Sequence, residues 1–348
     1  MKIHEKYMLR CLQLAKNGLG YTSPNPMVGS VIVANDKIIG EGFTSPAGGH
    51  HAEVNAIAAV ADKRLLSKAT LYVSLEPCNH YGKTPPCTEL IIKHKIPKVV
   101  VGVKDPHNKV AGKGICRLRE AGVEVAVGVL KEQCKWVNRR FFCFHLHKRP
   151  YIILKWAETI DGFISPALHS ESNSVAKPVW ISNAYSRQLV HKWRSEEQAI
   201  LVGTNTVVAD NPELTTRHWV GLNPMRIVLD RQLKLSRKYK IFDPAAPTIV
   251  FTEKDAVNEN NISYKRVNFD RNFITTFNKV LYQLNIQSVI VEGGEKTLTS
   301  FIKSKCWDEA RIFIGEKTFG KGIRAPEMDG EIESINAVFS DKLLIIKP

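Results

Sequence analysis

Residues 48–57, "GGHHAEVNAI", set His50, His51 and Glu53 at the entrance to a run of good helix formers. What flanks this stretch decides the fold. Upstream, "MVGSVIVANDKIIGEGF" (27–43) carries apolar runs on either side of Asn35-Asp36, which predicts a hairpin. Downstream, "AEVNAIAAVADKR" (52–64) is spaced for a helix with one buried face, and "ATLYVSLEPC" (69–78) reads as a strand ending at Pro77-Cys78. "CTELIIKHK" (87–95) is helical in pattern, and "KVVVGVKDP" (98–106) and "VEVAVGVL" (123–130) add two apolar bursts. Strands alternating with helices predict an α/β fold, a sheet covered by helices, and not a bundle. At the start, "IHEKYMLRCLQLAKNG" (3–18) places Met8, Leu9, Leu12 and Leu14 near one helical face, with Gly18 as its stop.

The register restarts in "CFHLHKRPYIILKWA" (143–157), where Arg149-Pro150 marks a joint. A chain of 348 residues is comfortable for two cores, and we place the domains at 1–147 and 148–348. The second repeats the alternation with "AILVG" (199–203), "RIVLD" (226–230), "PTIVFT" (247–252), "QSVIVEGG" (287–294), "ARIFIGEK" (310–317) and "DKLLIIK" (341–347) as strands. "SRQLVHKWRSEEQ" (186–198) and "EKTLTSFIKSK" (295–305) read as helices, "VGTNTVVADNPELTTR" (202–217) as a polar loop, and 165–180 as a surface loop or flap.

No apolar run reaches the roughly 18 residues that span a bilayer, and Met1 opens no charged-then-apolar leader. Seven scattered cysteines are unlike a secreted disulfide framework, so reduced thiols and a cytoplasmic setting are expected. Of the +15 formal charge, +12 falls in residues 1–149. That field suits an anionic partner, either nucleic acid or a phosphorylated small molecule.

His51, Cys78 and Cys87 offer one imidazole and two thiolates, a suitable set of three zinc ligands with a fourth position open. Water held at such a position loses a proton near neutral pH, and a carboxylate that is not a ligand, Glu53, can carry that proton to a leaving amine. Zinc deaminases share this layout, His-x-Glu followed by Pro-Cys and a second Cys. Here eight residues separate the cysteines where the common signature has two, a longer loop whose turns Gly82 and Pro85-Pro86 supply. Alternatives stay open: solvated first-turn residues with core thiols, or a closed structural site with His50 or His80 as fourth ligand.

"TSPNPMVGSVIV", "GGHHAEVNAI", "LEPCNHYGKTPPCTELII" and "KDPHNKVAGKGI" together resemble the deaminase half of the bifunctional deaminase and reductase of riboflavin biosynthesis. The resemblance implies a cytidine-deaminase-like, three-layer domain with a mixed sheet. It gives zinc binding to His51, Cys78 and Cys87, proton transfer to Glu53, and contacts to a phosphorylated pyrimidine ribosylamine to Asn25, His80, Lys83 and Asp105. One position departs: Gly42-Phe43-Thr44 stands where relatives have Gly-aromatic-His, and His50 is the residue available to take over that contact.

"KWAETIDG", "WIS", "HKWRSEEQAILVGTNTVVADNPELTTR", "RIVLD" and "VEGG" resemble the reductase half. This implies a dihydrofolate-reductase-like α/β domain that uses NADPH. By position, the cofactor contacts fall at Ala157, Trp180, Thr206, Asp210, Arg231, Gly294, Glu295, Lys296, Thr297, Leu298, Thr299 and Ser300. Substrate contacts fall at Arg194, Leu214, Arg217 and Glu292. The double glycine before a helix suits phosphate, and guanidinium groups bind phosphate bidentately. Surface pairing of the two arginines with Glu196 or Glu213 is the alternative. Pro178 departs from the polar residue common two before the tryptophan, and Lys155, Asp161 and Glu292 are the polar candidates for the acid of the reduction.

The implied activity is hydrolytic removal of the pyrimidine 2-amino group followed by NADPH reduction of the ribosyl to a ribityl chain, in a homo-oligomer with no nucleic acid or membrane partner. A deaminase of nucleic-acid bases and a noncatalytic zinc module are the rivals; the first predicts steeply salt-dependent nucleic-acid binding.

Overall fold

The computed structural model describes residues 3–81, 85–107, 111–167 and 179–348, and the chain divides into two units, Met1–Lys148 and Arg149–Pro348. Lys83, Gly82 and Pro178, and most of the flap expected over 165–180, lie outside the described residues.

In the first unit, α1 (Ile3–Ala15) leads to β1 (Gly29–Ala34) and β2 (Lys37–Phe43). Asn35 and Asp36 join the two strands with φ of 49° and 58°. Two consecutive left-handed residues match the twist of paired strands, which is why Asn-Asp marks this hairpin. The order continues with α2 (Ala52–Ala59), β3 (Thr70–Leu75), α3 (Cys87–Lys93), β4 (Lys98–Val103), α4 (Lys113–Glu120), β5 (Glu124–Val127), α5 (Lys131–Val137) and α6 (Arg139–His147). The sheet runs β2-β1-β3-β4-β5, antiparallel around β1 and parallel from β3 to β5.

Both faces are covered, so β1 and β4 are apolar runs without polar alternation. Gly29 faces α1, whereas Gly42, paired with Ser30, faces α2 on the other side. A methyl group on Gly42 would lie 2.4 Å from Ala56 N, so only glycine lets α2 lie this close to β2. α3 and α4 continue the α2 layer, and α5 packs beside α1. In α1 the buried face is Tyr7, Met8, Cys11, Leu12, Leu14 and Ala15. Leu9, expected on that face, is 38% exposed, because the stripe centres on Met8, Cys11 and Ala15.

The second unit contains β6 (Tyr151–Thr159), β7 (Phe163–Pro166), α7 (Ala184–Glu196), β8 (Ala199–Gly203), α8 (Thr204–Asp210), β9 (Met225–Leu229), β10 (Thr248–Thr252) and β11 (Ile262–Arg266). It continues with α9 (Phe273–Gln283), β12 (Ser288–Val291), α10 (Glu295–Lys303), β13 (Glu309–Gly315), β14 (Gly322–Arg324), β15 (Glu331–Val338) and β16 (Asp341–Lys347). The nine-stranded sheet is ordered β11-β10-β9-β8-β12-β6-β13-β16-β15. It is parallel from β11 to β13, with an antiparallel hairpin at its edge.

Successive residues serve opposite faces of this sheet: Ala199, Leu201, Val289 and Val291 join one core, and Ile200, Val202 and Ile290 the other. Each fully buried aliphatic chain contributes about 1.5–3 kcal/mol. Arg226, wholly buried on β9, ties the turn after it through Thr248 Oγ1, Lys240 O, Ala246 O, and both Asp243 Oδ1 and O.

Two expectations are corrected. Thr204–Asp210, read as loop, is helical, with Val207 its buried residue and so no period to read. Ser165 and Pro166, read as flap, belong to β7, which pairs with β14. Among the described residues no helix is long and apolar enough to cross a membrane.

Candidate functional site

His51 precedes α2 as its N-cap residue, Cys87 is the first residue of α3, and Cys78 follows the end of β3. Their convergence comes from the parallel β3 and the α2–α3 layer above it. His51 Nδ1 lies 3.5 Å from Cys78 Sγ and 3.3 Å from Cys87 Sγ, and the Cys87 N–H donates to Cys78 Sγ at 3.4 Å. Zinc held tetrahedrally by such donors spaces nitrogen and sulfur by about 3.5 Å. The residues therefore fit the ion.

All three ligand atoms lie within 4.8 Å of one another, and among the described residues no other His, Cys, Asp or Glu joins the group. His50 and His80 are exposed and outside it. The donor set thus has the open form and not the closed four-ligand form. Thr88 closes the intervening loop at its base: its N–H donates to Cys78 O at 3.2 Å and its hydroxyl to Asn79 Oδ1 at 2.9 Å.

Charge is shared within the group. The neighbouring Cys87 thiol first, and the His51 imidazole after it, outweigh burial and lower Cys78 to about 4. The Cys78 sulfur and burial raise Cys87, while Cys78 lifts His51 to about 9. A bound dication displaces such protons. Glu53, in the first turn of α2, is 4% exposed; burial first, then the charge of Cys78, raises it to about 7. A carboxyl near neutrality both accepts and returns a proton.

Of the expected pyrimidine contacts, Asn25 is half-buried in the turn before β1, with its N–H on Thr22 O, and His80 is exposed. Asp105 is buried just past β4, raised to about 7 by burial first and by Glu76 and Cys78 after it. Thr44 is buried and its hydroxyl accepts from the Val28 N–H at 3.1 Å, so the residue in the place of the relatives' histidine serves the backbone. Reading the sequence missed Glu76, whose carboxylate accepts four backbone N–H groups; its only signal is an acidic residue at the end of an apolar strand.

In the second unit, the parallel strands β8, β12 and β6 are neighbours, and their carboxyl ends carry two clusters. In the first, Arg194 Nη2 is 2.8 Å and Lys155 Nζ 4.0 Å from the Glu292 carboxylate, all three side chains being largely buried. Burial opposes ionisation of Glu292, but the charges of Arg194 and Lys155 outweigh it and hold Glu292 at about 2. Burial lowers Lys155, with Glu292 opposing. In the second cluster, Gly294 N–H donates to Thr206 Oγ1 at 3.0 Å, joining α8 to the start of α10.

Other residues expected at this site are placed as follows. Ala157 lies on β6, and Asp210 ends α8 with its carboxyl raised by burial. Trp180 is 56% exposed beneath the Arg187 guanidinium, and Arg231 pairs with Glu253 at 2.8 Å. Along α10, Glu295 Oε1 accepts from Thr299, Ser300 donates to Lys296 O, and Thr297 approaches Gly203. Leu298 and Leu214 bury their side chains in the cores. Arg217 pairs with Glu213 at 2.8 Å, whereas Arg194 takes Glu292 and not Glu196.

Residues 1–103 match the cytidine and deoxycytidylate deaminase zinc-binding region, and residues 150–338 match the RibD C-terminal domain. The chain is 42% identical over 329 residues to riboflavin biosynthesis protein RibD of Aquifex aeolicus (strain VF5), covering 92% of this chain and 89% of that one. To RibD of Escherichia coli (strain K12) it is 33% identical, over 92% and 89% of the two chains. A crystal structure from Thermotoga maritima, described as a diaminohydroxyphosphoribosylaminopyrimidine deaminase/5-amino-6-(5-phosphoribosylamino)uracil reductase, superposes with a TM-score of 0.89 at 38% identity and covers 99% of both chains. Two matched domains in this order, over nearly full-length relatives, mean that the chain belongs to the RibD family of bifunctional riboflavin biosynthesis enzymes, with a zinc-binding deaminase domain and an NADPH-dependent reductase domain in one polypeptide.

Proposed function

We propose that the first unit deaminates 2,5-diamino-6-(5-phosphoribosylamino)pyrimidin-4-one to 5-amino-6-(5-phosphoribosylamino)uracil, and that the second reduces the ribosyl chain of that product to ribityl. The observation that carries this reading is the convergence of His51, Cys78 and Cys87 with Glu53 buried beside them. Zinc, when bound there, supplies a Lewis acid that makes water nucleophilic at neutral pH. Glu53, buried beside the ligands, is the residue that would carry a proton from water to the departing amine. Asp105, with Asn25, His80 and Lys83, holds the pyrimidine and its ribose phosphate.

In the second unit, Thr206 and the backbone of Gly294 to Ser300 hold the cofactor phosphates, with Ala157, Trp180, Asp210 and Arg231 around them. NADPH, when bound, supplies the hydride. Arg194, Arg217, Glu292 and the backbone of Leu214 face the substrate. Of the three acid candidates, Glu292 at about 2 has no proton to give, and the Asp161 carboxylate is engaged by the Phe319 and Gly320 N–H groups. Lys155, buried and with a lowered pKa, is the proton donor to the opening sugar.

The chain works in the cytoplasm, in keeping with seven free cysteines, and as a homo-oligomer, in keeping with the exposed edge strand β15. A coupled assay tests the two steps: ammonia release and NADPH oxidation are measured with the diaminopyrimidinone substrate. Cys78→Ser should lose zinc and ammonia release yet oxidise NADPH when given the uracil compound. Ammonia release from the zinc-free variant would sink the reading.

A further inference from the structure

Glu76 stands at the end of β3, two residues before Cys78, and is 4% exposed. A buried carboxylate is costly unless its oxygens are satisfied. Here both are. Oε2 accepts from the N–H groups of Asp105 at 3.2 Å and Gly112 at 2.9 Å, and Oε1 from Gly114 at 3.0 Å and Ile115 at 3.2 Å.

These donors lie in two places. Asp105 follows β4, and Gly112, Gly114 and Ile115 form the entrance to α4, whose own N-cap residue, Gly112 at φ 85°, has no side chain to give. Glu76 caps that helix from another strand, with its charge at the favourable end of the dipole. The fit is close: a methyl on Gly114 would lie 2.0 Å from Pro77 O, between Glu76 and the first cysteine ligand. One carboxylate therefore ties the entrance of α4 and the backbone of Asp105 to the short strand end that carries Cys78.

We propose that Glu76 is a positioning residue of the deaminase site, fixing Asp105 against the metal-binding strand end so that the substrate meets both at a set separation. This rests on the substrate-contact reading of Asp105 given above. Glu76 touches neither metal nor pyrimidine; it acts through Asp105.

Glu76→Gln keeps the size but replaces one acceptor oxygen by an NH2 that faces N–H donors. With zinc content unchanged, the variant is expected to raise the deaminase KM about tenfold, the worth of one charge-assisted hydrogen bond to substrate, with a smaller change in kcat. NADPH oxidation with the uracil compound should be unaltered. A zinc-replete variant with the parent KM overturns the proposal, because a purely structural glutamate would lower the thermal midpoint and leave KM alone.

Asp105→Asn separates the two readings. A parent KM in that variant refutes the Asp105 contact and the proposal with it; a raised KM there beside an unchanged one in Glu76→Gln refutes the role of Glu76 alone. The double variant should be no worse than the poorer single one, whereas fully multiplicative effects argue against action through Asp105. Should Glu76→Gln fail to hold zinc, amide exchange in the unaltered chain decides. Slow, matched exchange at Asp105, Gly112 and Gly114 supports the clamp, and fast exchange at Asp105 overturns it.

Discussion

Arg194 and Glu292 form an ion pair at 2.8 Å with side chains 11% and 8% exposed, and each retains a buried atom, Arg194 Nε and Glu292 Oε1, without a hydrogen-bond partner. Removing one partner of such a pair strands the other charge. Arg194→Ala should destabilise the second unit by about 3–5 kcal/mol and abolish NADPH oxidation while ammonia release continues. Denaturant unfolding together with the two separate assays checks this; equal loss of both activities would contradict it.

The same pair sets an acid limit. Glu292 has its carboxyl lowered from 4.5 to about 2 in the folded chain. A depressed carboxylate contributes stability above its unfolded pKa and loses it as pH falls toward the folded one, so the loss spans about pH 4.5 to 2. Five of the six tryptophans lie beyond residue 149, so their fluorescence follows this unit. Glu292→Gln should flatten the unfolding midpoint across that window, and an unchanged slope would count against the ionised carboxylate.

Glu53→Gln preserves shape and neutralises the proton carrier. Zinc content, measured by atomic absorption, should match the parent, and ammonia release should fall about 10²–10⁴-fold. A variant that binds zinc and retains full turnover would remove Glu53 from the reaction.

Lys155→Gln should lower NADPH oxidation by a comparable factor, about 10²–10⁴, with no effect on ammonia release. Single-turnover mixing of the prebound variant with the uracil compound isolates the step.

Gly42→Ala tests the seat of α2. The added methyl meets Ala56 N at 2.4 Å and Ala52 O at 2.6 Å, backbone atoms that cannot turn aside. Overpacking of this kind costs about 1–3 kcal/mol, and because α2 carries His51 and Glu53, zinc affinity should fall as well. Thermal unfolding with and without chelator reads both effects.

The metal group was legible in the sequence because its chemistry needs particular residue types at particular neighbours, and His51, Cys78 and Cys87 do converge. Strands buried on both faces, such as β1, β4 and β12, announced themselves as apolar runs. Thr204–Asp210 did not, since a helix with one buried residue has no period and its hydroxyls resemble a loop. Leu9 misled because, at about 100° per residue, it falls on the side of α1 away from the stripe centred on Met8, Cys11 and Ala15. Glu76 was hidden for a different reason: its four donors come from residues 105 to 115, and only folding brings them to β3.

Thr88, one residue past the second cysteine ligand, bonds back to Cys78 O and Asn79 Oδ1, and so ties the chain at one sulfur to the chain at the other. One small residue is thus the clasp that keeps two sulfurs within a single cation's grasp.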